Sequence, residues 1–481
     1  MIRAFVIAIL FLCMPQINCD AQTTLREHLE LFAGEEVSQV PSPTIHAAAQ
    51  EYIVGRQFEI INEYGIAIAH YKKATELDEK AYAPWVGIAN ALTAMGRFET
   101  AVAVWREVLA RNQSYGDALL VVGLDDTRVG DLDNARRWLS RRRLQNKDAP
   151  VEALLRDSAL LSILKKQKNL VAMALLQENF QQTFDSAVTT LIFHNNRDNW
   201  VGVMQQLVDI GAASIAAQVI TAAAPYVEGK NLSVLLTALP LLEVASVGDG
   251  TLTEDIYRKV SLSQQIPLSP RWFEPVSLSE ALSIAAQSMS VLGAVDAPIK
   301  LYESSLAIEP NDSLTANNLA WMKLQRDGAT EEVKKLCNRA FKLEPDAPYI
   351  MDTLGWMYVV TGRPEEAIPL FVGAMEQEDE PSPETYVHLG DAYWLAGKFD
   401  NAIQSWRAAW KILNAPETRQ AYLEGFMGMT YSVWGISVAT PEALYDLELG
   451  EITRNLIEKI TAYENGNFHK VSGLVEINGA N

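Results

Sequence analysis

DTLGWMYVVTGRPEEAIPLF, residues 352–371, encodes two short amphipathic helices and the turn between them. Met351, Leu354, Met357 and Tyr358 fall at helical spacing and share one face. Gly355 leaves a notch on that helix where another group can come close. Gly362 is placed to end the helix, because a residue without Cβ takes the left-handed cap at little cost. Pro364 opens the second helix with its φ already set. Ala367 is a second notch, and Phe371 a large apolar plug behind it. Pro369 lacks the N–H for one helical bond and is expected to bend this helix near its start. Two helices of this length cannot bury a core alone, so the pair needs neighbours.

The neighbours are in the sequence. Gly355, Gly362, Ala367 and Phe371 recur 35 residues later as Gly390, Gly397, Ala402 and Trp406. Upstream, Ala67, Ala101 and Ala135 are 34 residues apart, as are Tyr71, Trp105 and Leu139, and Gly96 and Gly130. A fixed period of this size is the signature of stacked two-helix units, each covering the apolar face of the next.

These residues resemble the tetratricopeptide repeat family. Trp85, Ile88, Ala89, Leu92, Gly96, Phe98, Ala101 and Trp105 stand in that family's pattern in WVGIANALTAMGRFETAVAVW. Tyr386, Leu389, Gly390, Tyr393, Gly397, Phe399, Ala402 and Trp406 do so in YVHLGDAYWLAGKFDNAIQSW. This register places units at 48–81, 82–115 and 116–149, then at 279–312, 313–347, 348–382 and 383–416. One residue is extra in the turn near Asp327 and Gly328, and Ser382 is extra between two units. IEPND at Ile308 and LEPDA at Leu343 are similar to the family's unit endings. A diverged unit fits 197–230 through Trp200, Val203, Leu207, Gly211, Ala216, Ile220 and Ala223. The resemblance implies an all-α, right-handed superhelical solenoid, with 150–278 read as diverged helical repeats. GDGTLTED and QQIPLSPRWFEP are read as loops of that region. The rival reading of 150–278 is a linker or small inserted domain between two arrays.

The ends differ from the middle. MIRAFVIAILFLCMPQ has one basic residue, a short apolar run and a helix breaker, the pattern of a secretory signal over 1–21. Cleavage after Ala21 fits a small-residue site. The alternative is an outer-membrane lipoprotein anchored through Cys19, although Gln16 and Asn18 depart from the usual lipid-attachment residues. Beyond this run no stretch is long and apolar enough to span a bilayer. Residues 417–481 read as a helical extension, with YENGNFHKVSGLVEINGAN as a polar, glycine-bearing tail that frays.

Composition sets limits on function. The 481 residues are 49% hydrophobic, ample for a continuous repeat core. A formal net charge of −20 argues against nucleic acid, whose phosphates reward basic proteins, and against docking on anionic lipid. RVGDLDNARRWLSRRRLQNK is the one basic cluster, read as a solvated helix face or an anion-docking face. Once 1–21 is removed Cys337 stands alone, at a repeat position expected to be buried and inert.

Catalytic patterns are sparse. None of His28, His46, His70, His194, His388 and His469 pairs with another at metal-ligand spacing. GISVA at Gly435 lacks the second glycine of a nucleophile elbow. VGVM and VGDGTL lack the Gly-Lys-Ser/Thr of a phosphate loop. Asp125, Asp126, Asp131 and Asp133 read as a helix end and the next helix start rather than a calcium loop. No cofactor or metal is expected.

What remains is a surface. In the tetratricopeptide repeat family the first helix of each unit lines a concave groove. The resemblance therefore puts Asn317, Trp321, Asp352, Trp356, Val387, Asp391 and Trp394 there as partner-binding residues. The plainer reading is that the tryptophans wedge between helices. Acids stand where some family members clamp a peptide carboxylate with basic and asparagine side chains, so a basic or apolar peptide segment, or a glycan, fits better. The expectation is a non-catalytic scaffold of a bacterial cell envelope that binds a protein partner, in outer-membrane or polysaccharide-export assembly. The alternatives are a periplasmic glycan-binding module and an enzyme hidden in 150–278.

Overall fold

The computed structural model describes residues 43–194, 197–261, 265–266, 276–379, 381–417, 419–420, 443, 445 and 449–475. The 1–21 signal reading and Cys19 lie outside them. The chain divides into two compact units, Met1–Val227 and Glu228–Asn481.

The first unit is a run of helix hairpins. They are α1 (Pro43–Ile60) with α2 (Tyr64–Leu77), α3 (Ala83–Ala94) with α4 (Phe98–Arg111), and α5 (Gly116–Val129) with α6 (Leu132–Gln145). Then come α7 (Pro150–Lys166) with α8 (Leu170–Phe193), and α9 (Arg197–Asp209) with α10 (Ala213–Ala223), which ends in a 3₁₀ turn over Ala224–Tyr226. The diverged unit expected at 197–230 is thus a real hairpin, with Trp200, Val203, Leu207, Ala216, Ile220 and Ala223 buried. Where the family pattern thins, residues 150–193 form a longer hairpin of the same kind.

The second unit repeats the plan. It holds α11 (Gly229–Ala245) with α12 (Thr251–Val260), α13 (Leu278–Val291) with α14 (Asp296–Ile308), and α15 (Ser313–Asp327) with α16 (Glu331–Leu343). It continues with α17 (Pro348–Val360) and α18 (Pro364–Glu376), α19 (Pro383–Leu395) and α20 (Phe399–Leu413), and α21 (Gly450–Glu464) and α22 (Phe468–Val475). Helix α18 runs on through Pro369.

Three expectations change. GDGTLTED is not all loop: helix α12 starts inside it, at Thr251. The reason is the buried carboxylate of Glu243 on α11, which accepts the backbone N–H groups of Leu252 and Thr253 at 3.1 and 3.0 Å and the Thr253 hydroxyl at 2.7 Å. A carboxylate there satisfies the orphan donors of a helix start. QQIPLSPRWFEP is not all loop either. Gln265 and Ile266 pair antiparallel with Ser277 and Val276, a two-residue ladder and the one sheet among the described residues. Finally, residues 463–475 are not an unstructured tail. They form the turn and second helix of the α21–α22 hairpin, which packs on α19 and α20.

Each hairpin closes on one fit, a small residue facing a large plug. A Cβ on Gly55 would meet the Tyr71 ring at 2.6 Å, and one on Gly123 would meet Leu139 at 2.6 Å. On Gly355 it would meet the Phe371 ring at 2.8 Å, and on Gly390 it would strike the Trp406 indole. All four plugs are fully buried. The turns are equally stereotyped. Gly96, Gly362, Gly397 and Gly466 are left-handed, with φ of 73°, 71°, 72° and 70°. The next residue's N–H reaches back to a carbonyl five positions earlier, as in Arg363 to Tyr358 (2.9 Å), Lys398 to Tyr393 (2.8 Å) and Asn467 to Ala462 (2.8 Å).

Charges are also buried in the joints. Arg142 sits among Asp148, Glu152 at 3.3 Å and Asp117 at 3.6 Å, while Arg156 pairs with Asp148 and, at 2.8 Å, with Asp157. This network ties α6 to α7. Of the basic cluster only Arg142 is buried; Arg136, Arg137 and Arg141 stay exposed on the surface of α6, with Arg137 and Arg141 over the Trp138 ring and Arg136 donating to Gln167. The acidic cluster is engaged locally. Asp125 and Asp126 pair with Arg106, and Asp131 accepts from Asn134 as the cap of α6. Cys337 is buried, and that burial pushes its thiol up to about 12.

The glycine fit predicts the cost of filling it. Gly390→Ala should destabilise the second unit by about 1–3 kcal/mol, the usual penalty of overpacking a core, with Gly355→Ala at the lower end. Urea unfolding with intrinsic tryptophan emission reads this directly. An unchanged midpoint would show that the rings have room to move.

Candidate functional site

Helices α15, α17 and α19 are the first helices of three successive hairpins, and their facing side chains meet at one ring, His388. Its imidazole stacks on Trp356 with centroids 4.4 Å apart and planes 25° from parallel. Trp321 and Phe371 each lie 5.8 Å from it. Nδ1 of His388 is hydrogen-bonded to Asp352, at 2.9 Å to Oδ2 and 3.2 Å to Oδ1. Helical spacing builds this cluster. Asp352 lies one turn before Trp356, Asn317 one turn before Trp321, and Glu384 one turn before His388, so each helix offers a polar acceptor followed by a ring.

Burial and charge oppose each other here. Burial alone would lower the His388 pKa, but Asp352, Glu384 and Asp391 outweigh it and hold the imidazole above its ordinary value. Burial pushes the Glu384 carboxyl up; His388 pulls it down and Asp352 pushes it up again. Trp321, Asp352, Trp356 and Glu384 are half-buried. Asn317 is buried, and its Oδ1 has no hydrogen-bond partner.

The seven residues expected on a groove divide in two. Trp321, Asp352 and Trp356 gather around His388, and Asn317 lies one turn before Trp321 on α15. Asp391, Trp394 and Val387 belong to the contact with the C-terminal hairpin instead, which corrects their expected place on an open face. Asp391 is buried, accepts the Trp406 indole N–H at 2.9 Å and holds Lys459 of α21 at 2.7 Å through both oxygens. Trp394 packs between Phe399, Tyr463 and Phe468, and Val387 joins the same apolar cluster. The physical reason is an additional hairpin, which covers what the last recognised unit would otherwise expose. The wedge reading also holds in part: Trp356 packs against the apolar clusters on both sides of α17.

Sequence reasoning missed Glu384 and His388. Their one-turn spacing was available, as was the position of His388 about one repeat after Asp352, but histidines were weighed as metal ligands. No group of side chains able to hold a metal ion exists among the described residues. No described helix is long and apolar enough to cross a membrane. The cluster can offer aromatic faces, acceptors and negative charge; it holds no nucleophile beside a base.

This geometry defines a class: a protein of stacked helix hairpins with an acceptor-and-ring face on successive first helices. The family model described as tetratricopeptide repeat matches residues 383–412, the α19–α20 hairpin. Among solved structures the chain is similar to yeast Tom70, at 14% identity, covering 89% of this chain and 94% of that one with a TM-score of 0.30. It is similar to a thermophilic tetratricopeptide repeat protein of Thermus thermophilus, at 16% identity, covering 40% of this chain and 97% of that one with a TM-score of 0.28. It is also similar to the APC/C hetero-tetramer Cut9–Hcn1, at 12% identity, covering 86% and 96% with a TM-score of 0.31. The search of curated proteins returns no match. The fold suggests a protein-interaction scaffold.

Two outcomes follow from the geometry. A group whose folded pKa is raised stabilises fully below its unfolded value, about pH 6.5 for histidine, and loses that contribution as pH climbs through the folded value. His388→Gln should therefore lower Tm most below about pH 6.5, with the gap narrowing toward alkaline pH; a gap that widens with pH would refute the pairing. Lys459→Met leaves the Asp391 carboxylate buried without its cation and should cost about 3–5 kcal/mol. Hydrogen exchange should show protection lost first in residues 450–475, and Asp391→Asn in the same chain should restore part of it.

Proposed function

We propose that the protein is a non-catalytic scaffold of the cell envelope that holds a segment of a partner protein on the face of α15, α17 and α19. The observation that carries this reading is the row of half-buried Trp321 and Trp356 beside Asp352 and Glu384. A large ring with part of its surface in water, rimmed by polar groups, is the usual anchor of a protein interface. The helix-hairpin fold, which presents such faces repeatedly, supports it. The short apolar run of residues 1–21 supports export, with a lipid anchor at Cys19 as the alternative form. Assembly of an outer-membrane or polysaccharide-export complex is the setting these features fit. Glycan binding is the second reading, favoured by the same rings, and soluble oligosaccharide that quenches tryptophan emission would select it.

The test is a crosslinked pull-down from envelope extract. The baits are the protein and its Trp321→Leu, Trp356→Leu variant, which must still melt cooperatively. A partner recovered at least about tenfold less by the variant, the size of a lost hot spot, is the expected result. A partner recovered equally by both would move the binding surface elsewhere.

A further inference from the structure

The charged groups of this face are not all paired. Asp352 is engaged by His388 at 2.9 Å. The carboxylate of Glu384, half-buried one turn before His388 on the same helix, accepts no hydrogen bond and forms no ion pair among the described residues. The buried Oδ1 of Asn317 is likewise without a partner. Leaving the buried Asn317 acceptor unmatched costs free energy that a donor from outside would recover, and the half-buried Glu384 carboxylate stands open to a cation. On the same helices stand the Trp321 and Trp356 rings, both packed on His388 one turn after Glu384, and indole faces attract cations. Every unsatisfied group on the face is an acceptor or a π surface, in a chain of net charge −20.

The protein already solves this chemistry once, with its own residue. Trp321, Trp356 and Asp391 occupy one register position on α15, α17 and α19. At the third of these, Lys459 brings its ammonium to 2.7 Å from both Asp391 oxygens and 5.6 Å from the centre of the Trp406 ring. A carboxylate and an indole thus hold a buried lysine at the end of the row.

We propose that the face of α15, α17 and α19 recognises a basic side chain, a lysine or arginine carried by the partner segment, seated against Trp356 and Trp321 with Glu384 as its counter-ion. This rests on the groove reading above and names the chemistry of its ligand. The fit is one of charge and ring together, so an apolar residue of the same length lacks half of the recognition, and an acidic one is repelled.

The experiment uses the full chain and a defined probe, acetyl-Gly-Lys-Gly-Lys-Gly-amide, with counterparts carrying norleucine or Nε-acetyllysine in place of lysine. Binding is followed by tryptophan emission and by calorimetry at fixed salt. The lysine peptide should bind about tenfold tighter than either counterpart, in the range expected for a desolvated cation–π and ion-pair contact. Glu384→Gln should remove most of that preference while leaving the melting temperature within a few degrees, since Glu384 makes no side-chain bond to lose. Equal binding of the norleucine peptide, a lysine preference that survives Glu384→Gln, or no binding of the lysine peptide up to millimolar concentration would each overturn the proposal. The groove reading stands apart from these results. It fails only when the partner in the pull-down is retained by the Trp321→Leu, Trp356→Leu variant.

Discussion

The architecture depends on one steric condition, that a large side chain from the second helix of a hairpin must enter the first helix where a residue has no side chain to refuse it. Tyr71 against Gly55, Phe371 against Gly355 and Trp406 against Gly390 are the same solution with three different rings. The close approach fixes the hairpin angle, and the angle fixes which residues of the first helix remain outward. Asp352 and Trp356, or Glu384 and His388, share a face through helical spacing, and the ring behind them sets how that face is turned. The chain thus builds its binding surface from the back.

Much of this was legible in the sequence, because the condition demands particular residues at a fixed interval. Glycine and a ring repeating every 34 or 35 positions leave few other architectures. Two places were hidden for a shared reason: a charged residue stands where the repeat is normally small. Arg142 occupies such a position in α6 and Lys459 one in α21, each made tolerable by carboxylates from elsewhere in the chain. A pattern of sizes cannot register such a replacement, since the compensation comes from distant residues. The Gly466-Asn467-Phe468 turn repeats Gly96-Arg97-Phe98 and Gly397-Lys398-Phe399 and was visible, but a polar composition concealed it.

The candidate site shows the same limit from the functional side. Asn317, Trp321, Asp352 and Trp356 follow from register alone, since equivalent positions on successive helices point the same way. Where the open face ends does not follow from register. Asp391 and Trp394 have the positions of groove residues, yet a hairpin separated from them by non-repeat sequence covers both. His388 is the converse case, a residue off the expected positions that ties two neighbouring helices through one imidazole.

The bond between Asp391 and Lys459 spans 68 residues of sequence, whereas the glycine–ring contacts of each hairpin span 16. Local hairpins can close as soon as they are synthesised, but docking α21 on α19 brings together residues far apart in sequence, at an entropic cost that grows with their separation. Until the α21–α22 hairpin docks, Trp394 and Asp391 stay uncovered. The same face of α19 is thus adhesive before that docking and inert after it, so that one late contact between distant residues decides which surface the array presents.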